Sequence, residues 1–301
     1  MKVLIVAVDL DTFVYEQYSA LEKAGVDIVT YKVSGHGLLG YIKEGIMLRK
    51  IIKHIRPDIV HAHYGLSGLC ANFQRNVPVV TTFHGSDIHS GGWILKLSQL
   101  AMRFSVYNIF VNQSLYKMSG YKRHNVSIIP CGTDLKTMKS VDQNEAKEKT
   151  GKRNTFVLFA GSFTNQIKNP ELAKRSVSKL PQVELVELRG YKRDEVNMLM
   201  NAANCLLVTS HREGGPLVVK EAMACGTPVV SVDVGDVREV IGETAGCYIA
   251  ERNEDDIADK VRQALEFHGK TEGRQRIIDL GLDNRQIAQQ LIEIYQQCLK
   301  K

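Results

Sequence analysis

Apolar runs of four to seven residues recur along the chain, separated by longer segments with helical spacing. In the first half the runs fall at 2–8, 26–31, 59–63, 79–83, 109–112 and 126–129. In the second half they fall at 155–160, 183–188, 205–208 and 229–232. Their length and their continuous, rather than alternating, apolar character predict strands buried on both faces. Helices are predicted from the loop at 9–14 to about Ala24, with Gly25 as its cap, and over 48–55, 195–203, 217–225, 257–267 and 287–299. The last places Ile287, Leu291, Ile294 and Tyr295 on one face. A turn-rich loop is expected at 34–37 and a further loop at 234–237, followed by a short helix. The stretch 135–154 is polar and charged and divides the chain.

A length of 301 residues suits two domains of ordinary size, and 44% hydrophobic with 24% charged residues describes a globular protein. The opening apolar run is cut short by Asp9 and Asp11, so it reads as a first strand rather than a leader. No run approaches the ~20 residues that span a bilayer. The six cysteines show no metal-type spacing and fit reduced core thiols, so the chain is expected in the cytoplasm. Residues 1–140 carry 16 Lys and Arg against 9 Asp and Glu, whereas the remainder has 23 against 24. The whole excess of positive charge therefore lies in the first half, which points to an anionic surface as its partner. No nucleic-acid motif accompanies it.

The candidate chemistry is concentrated at 205–230. The run Cys205–Val208 gives way to the polar loop His211-Arg212-Glu213-Gly214-Gly215. Pro216 suits the first turn of the helix that follows, and Gly226 suits its left-handed C-terminal cap. The N–H groups of Gly214, Gly215, Leu217 and Val218 make an anion-binding nest at the positive end of that helix. Glu213 and Glu221 flank the nest. Each repels a phosphate, so both are expected to face hydroxyls of the same ligand, since a carboxylate accepts from two vicinal hydroxyls at once. A diphosphate between two polyols is a nucleotide sugar.

The run EGGPLVVKEAMACGTPVV, with seven residues between Glu213 and Glu221, resembles the paired-glutamate motif of the retaining glycosyltransferases of family 4. His84-Gly85-Ser86-Asp87 resembles the same family's HGSD segment, and Pro130-Cys131-Gly132-Thr133-Asp134 its approach to the interdomain linker. The resemblance implies the GT-B fold: two doubly wound, Rossmann-like α/β domains facing a central cleft. These would be 1–140 on the acceptor side, 141–285 holding the nucleotide sugar, and a final helix, 286–301, returning to the first domain. At 301 residues the chain is short for the family, which implies trimmed loops.

The implied reaction transfers a sugar from a UDP- or GDP-sugar to a hydroxyl, with retention and without a cofactor or obligatory metal. Three residues carry catalytic roles by this resemblance: Lys168 on the diphosphate, Glu213 on the hydroxyls of the transferred sugar, and His84 lining the sugar pocket. Glu221 would hold the ribose diol. Gly161, Ser162, Gly190, Tyr191, Arg193, Gly214, Gly215, Pro216, Leu217 and Val218 complete the substrate-binding set, with Tyr191 read either as stacking on the base or as a surface residue. The leaving phosphate would itself take the acceptor's proton, so no general base is named.

The chain departs from the family in two places. It has no glycine pair after the first strand. Ser162 stands where an arginine normally grips the diphosphate, which leaves that role to Lys168 and the helix N-terminus or to another cation such as Arg189 or Arg193. The acceptor is expected to be a lipid-linked or polysaccharide precursor. The basic segment 49–56 and the segment 93–103, with the single tryptophan, are the expected points of peripheral contact with an anionic membrane; the second reads equally as a core helix. His61-Ala62-His63 has the spacing of two zinc ligands, but alternate strand residues share a face without a metal, and no third ligand is near. Two other readings stay open: a non-catalytic nucleotide-sugar-binding protein, and a sugar-nucleotide epimerase on the same fold.

Overall fold

In the computed structural model, which describes residues 1–10, 13–35 and 37–300, the apolar runs form two all-parallel sheets. Asp11 and Thr12, placed above in the loop after the first strand, and His36, placed in the turn before Gly37, lie outside the described residues. The first sheet contains β1 (Lys2–Ala7), β2 (Asp27–Lys32), β3 (Ile59–His63), β4 (Val79–Phe83), β5 (Tyr107–Phe110) and β6 (Val126–Ile128), in the order β2-β1-β3-β4-β5-β6. The second contains β7 (Phe156–Phe159), β8 (Glu184–Glu187), β9 (Cys205–Val208), β10 (Val229–Val232) and β11 (Cys247–Ala250), in the order β11-β10-β9-β7-β8.

Strand alternation explains why each sheet is covered on both faces. Leu4, Val6, Val60 and Ala62 pack on one side of the first sheet with Leu48 and Ile52 of the helix Gly37–Ile55. Val3, Ile5, Ala7 and Ile59 pack on the other with Leu21, Ile287, Leu291 and Tyr295. Residues of both strand faces are thus apolar, as a doubly wound sheet requires. The second sheet has one continuous core built around Phe156–Phe159, Cys205–Val208 and Val229–Val232.

The chain forms two units, one of Met1–Gly132 with Asn284–Lys301 and one of Thr133–Asp283. The final helix, Asn284–Leu299, therefore belongs with the first unit. The crossing at Thr133 comes earlier than the 140/141 boundary that the resemblance implies. Leu135 and Met138 are buried in the second core, and Thr133 N–H donates to Leu282 O at 2.9 Å. The polar stretch thus begins inside the second unit rather than between the two.

Several elements differ from the sequence pattern, and short helices such as Gly65–Ala71, Gln143–Thr150 and Pro170–Ser178 are added to it. The helix predicted over 48–55 begins at Gly37, and a strand, β11, lies where none was predicted. Pro216 sits at the N-cap of Leu217–Ala224 rather than in its first turn.

Candidate active site

The second sheet reverses its strand order between β7 and β9, and the crevice beyond the carboxyl ends at such a point is where doubly wound sheets bind ligands. β7 ends into Gly161 and Ser162, and β9 ends into the loop from Thr209 to Pro216. The two segments are tied together. Thr209 Oγ1 donates to the carbonyls of Lys168 and Asn169 at 2.9 and 3.0 Å, and His211 N–H donates to Ile167 O at 2.8 Å. These bonds hold the short turn Gln166–Lys168 over the loop that carries Glu213.

Lys168 Nζ consequently meets Glu213 Oε1 at 2.6 Å, and Ser210 Oγ donates to the same oxygen at 2.6 Å. The lysine stem runs across Gly161, where a Cβ would stand 2.9 Å from Lys168 Cγ, so a side chain at 161 would displace the lysine. Ser162 hydroxyl-bonds Thr164 at 2.9 Å.

The helix Leu217–Ala224 starts beside this cluster; Val219 N–H bonds Pro216 O at 3.1 Å, and the N–H groups of Leu217 and Val218 ahead of it have no carbonyl one turn back within the helix. Glu221 is buried in that helix, and its Oε1 lies 2.5 Å from Arg193 Nη2, at the start of the helix Arg193–Ala202. Oε1 accepts no hydrogen bond from any described residue, so the contact is one of charge. Tyr191, after Gly190, lines a groove of 380 Å³ with Lys149, Lys152, Asp194 and Met198. Arg189 is exposed.

Three supporting residues escaped the sequence reading. Lys220, adjacent to Glu221, is fully buried and pairs with buried Asp236 at 2.7 Å. Asp236 follows β10, and its carboxylate lies where a Cβ on Gly215 would come within 3.1 Å of Oδ2. Gly235, at φ +63°, approaches Gly214 O just as closely, so the two glycine loops pack directly on one another. Arg252, after β11, donates from Nη1 to Ser210 O at 2.6 Å and fixes the backbone ahead of Glu213. A lysine amid an apolar helix run was the one available signal for the first pair. For Arg252 the sequence holds none.

In the first unit the order reverses between β1 and β3, and His84 follows β4 one strand further on. Its ring is surrounded by Phe13, Tyr64 and His63 at centroid distances of 4.8, 4.9 and 5.2 Å. His84 Nε2 shares a hydrogen bond with His63 Nδ1 at 2.9 Å. His61, read with His63 as a metal-spaced pair, bonds Tyr295 OH at 2.6 Å and Thr82 Oγ1 at 2.7 Å. Asp87 accepts the N–H groups of Gly85 and Gly65 at 2.9 and 3.2 Å, which ties the loop after β4 to the loop after β3. Among the described residues no group of three His, Cys, Asp or Glu is placed to hold a metal ion.

The chain is similar to known proteins over most of its length. The family model for glycosyl transferases group 1 matches residues 149–280, and that for glycosyltransferase family 4 matches residues 2–137. An uncharacterized glycosyltransferase of Methanocaldococcus jannaschii is 25% identical over 291 residues, covering 86% of this chain and 80% of its own. A D-inositol 3-phosphate glycosyltransferase of Xylanimonas cellulosilytica is 27% identical over 240 residues, covering 61% of this chain; the match spans only 57% of that relative's length. The structure of Anabaena HepE in complex with UDP superposes with a TM-score of 0.77 at 17% identity, over 99% of this chain and 100% of that one.

Proposed function

Because the chain belongs to the family-4 glycosyltransferases of GT-B fold, we propose that it moves a sugar from a nucleoside diphosphate to a hydroxyl acceptor with retention at the anomeric carbon. The observation that carries this reading is the convergence of Lys168, Glu213 and the start of Leu217–Ala224 at the β7/β9 switch point. The cation and the helix N-terminus favour a diphosphate, and the carboxylate favours hydroxyls.

On donor arrival Lys168 turns from Glu213 to the diphosphate, and Glu213 and the backbone of Gly214 and Gly215 take the sugar's hydroxyls. The bond from the anomeric carbon to the β-phosphate oxygen breaks. The acceptor oxygen bonds to that carbon on the same face, and its proton passes to the leaving phosphate. Charge on the diphosphate grows as the bond breaks, so Lys168 and the first-turn N–H groups stabilise the transition state more than the bound donor. No metal is required in this scheme. The acceptor is a lipid-linked glycan precursor, presented at an anionic membrane to which the basic first half of the chain is drawn.

The likeness to a protein solved with UDP makes uridine the first base to test, and guanosine the second. Wild-type protein incubated with UDP- or GDP-sugars and a lipid-linked acceptor should yield product with the donor's anomeric configuration, and should do so in the presence of chelator. Lys168→Ala should lower kcat by about 100-fold or more while donor affinity falls less than tenfold. Nucleotide release without sugar transfer would favour the epimerase reading. Binding without turnover would favour a non-catalytic protein.

A further inference from the structure

Glu221 is a buried carboxylate, 5% exposed at its side chain, whose Oε1 touches a guanidinium yet accepts no hydrogen bond from a described residue. A buried polar atom in that state is unusual, because burying an acceptor without a donor costs stability. The arrangement balances the charge of the carboxylate and leaves its accepting capacity for a ligand. Arg193 reaches it from the first residue of its helix, the end where the helix dipole disfavours a cation. That helix start is itself anchored, since Lys192 N–H donates to Glu195 Oε2 at 2.7 Å. Contact with Glu221 offsets the unfavourable position.

We propose that Arg193 is a positioning residue for diol recognition: it compensates and orients the Glu221 carboxylate so that both oxygens accept from the two ribose hydroxyls of the donor. This rests on the donor-site reading given above. It assigns Arg193 to the nucleoside side of the site and leaves Lys168 as the cation of the diphosphate. A guanidinium suits the task because it stays charged at every working pH and is planar and weakly hydrated, whereas a lysine is a strongly hydrated point charge on a flexible stem. With the guanidinium removed, the buried carboxylate loses its compensating charge and its fixed orientation.

The test separates the sugar hydroxyls from the phosphates. UDP, GDP and their 2′,3′-dideoxy counterparts are titrated by calorimetry into wild type, Arg193→Met, Arg193→Lys, Glu221→Gln and the double variant R193M/E221Q. Wild type should prefer the ribonucleotide over the dideoxynucleotide by roughly 10- to 100-fold, the range for hydrogen bonds to a charged group. Arg193→Met should reduce that preference to within about threefold, with dideoxynucleotide affinity nearly unchanged, and Arg193→Lys should retain part of the preference. Glu221→Gln should lose the preference as well, and adding Arg193→Met to it should lower the preference no further. Arg193→Lys keeps a cation beside Glu221, so it tests the proposal even where Arg193→Met fails to fold: a preference as large as that of wild type in Arg193→Lys would overturn the role given to the guanidinium.

Equal weakening of ribo- and dideoxynucleotides by Arg193→Met would make it a diphosphate cation and overturn the proposal. A preference that survives Arg193→Met would overturn it too. If wild type binds neither UDP nor GDP, the donor-site reading itself falls and the proposal with it. That result comes from wild type alone and is distinct from a failure seen only in the variants.

Discussion

His61, His63 and His84 show what burial does to single side chains. Their rings stack in sequence, with centroids 4.6 and 5.2 Å apart. Burial pushes His63 down to about 3, and it holds His61 and His84 well below the usual histidine range, with neighbouring histidines adding to the effect. All three are therefore neutral at pH 7, and in the His63–His84 bond one ring donates and the other accepts. An unfolded histidine takes a proton near pH 6.5. The stability these rings contribute is thus present above that pH and is lost as pH falls toward 3. Asp87 works in the opposite direction: burial raises it to about 6, so the folded state gains as pH falls through that value. Three histidines outweigh one carboxyl, and His63 alone contributes a loss of about 1.4 kcal/mol by pH 5.5. The urea midpoint followed by fluorescence of Trp93, the single tryptophan, should be lower at pH 5.5 than at pH 7.5. A level midpoint would mean that the folded rings accept protons freely. The shared face of His61 and His63 was legible from strand alternation. Their partners Thr82 and Tyr295 were not, because the second lies 234 residues away and only tertiary packing brings it near.

Among elements, the strand–loop–helix from Cys205 to Ala224 was the most legible, since a continuous apolar run, a glycine pair, Pro216 and Gly226 (φ +72°) each act locally. The interior of the same helix shows where local reading stops. Lysine is a residue type that usually faces solvent, yet Lys220 is fully buried against Asp236, 16 residues on. The helix Gly37–Ile55 was read 11 residues too short because Leu39, Ile42, Ile46 and Met47 face outward, so apolar residues occupy both sides and the helical period fades. β11 is a four-residue edge strand with Tyr248 and Ile249 only half-buried, too short and too exposed to stand out as an apolar run. The Lys220–Asp236 pair carries a prediction. Lys220→Met leaves a buried carboxylate without its cation and should destabilise the second unit by about 3–5 kcal/mol. Adding Asp236→Asn should recover much of that loss, because no charge then remains to compensate. Urea unfolding of both single variants and the double variant measures the coupling. Additive losses would show that the pair does not act as a unit.

At the scale of the whole molecule, charge and exposed apolar surface coincide on the first unit. The excess of Lys and Arg over Asp and Glu lies wholly within residues 1–140. The helix Gly37–Ile55 buries Gly45, Leu48 and Ile52 and exposes Leu39, Ile42 and Ile46 on its opposite side, with Leu39 83% exposed. Lys43, Lys50 and Lys53 share that outer face, and Arg49 borders it. The helix Gly92–Phe104 adds exposed Trp93, Leu100 and Phe104, while Ile94 and Leu97 are half-buried. The apolar wedge expected at 93–103 is thus joined by one from the start of the preceding basic helix, a region to which the sequence pattern assigns no element. No helix among the described residues is long and apolar enough to cross a membrane. An amphipathic face with cations beside exposed aliphatic residues fits an anionic lipid surface, at about 1 kcal/mol per cation near the headgroups, and salt screens that attraction. Wild type should co-sediment with vesicles containing anionic phospholipid at low salt, bind less at high salt, and stay in solution with purely zwitterionic vesicles. Reversing Arg49, Lys50 and Lys53 to glutamate should abolish binding. Leu39→Ser with Ile46→Ser should weaken it at every salt concentration, because the apolar part is not screened. Nucleotide affinity should be unchanged in both variants, since the residues assigned to the diphosphate and the ribose, Lys168 and Glu221, lie in the second unit. If wild type remains in the supernatant at low salt, the basic face is a solvated one and the acceptor is soluble rather than lipid-linked.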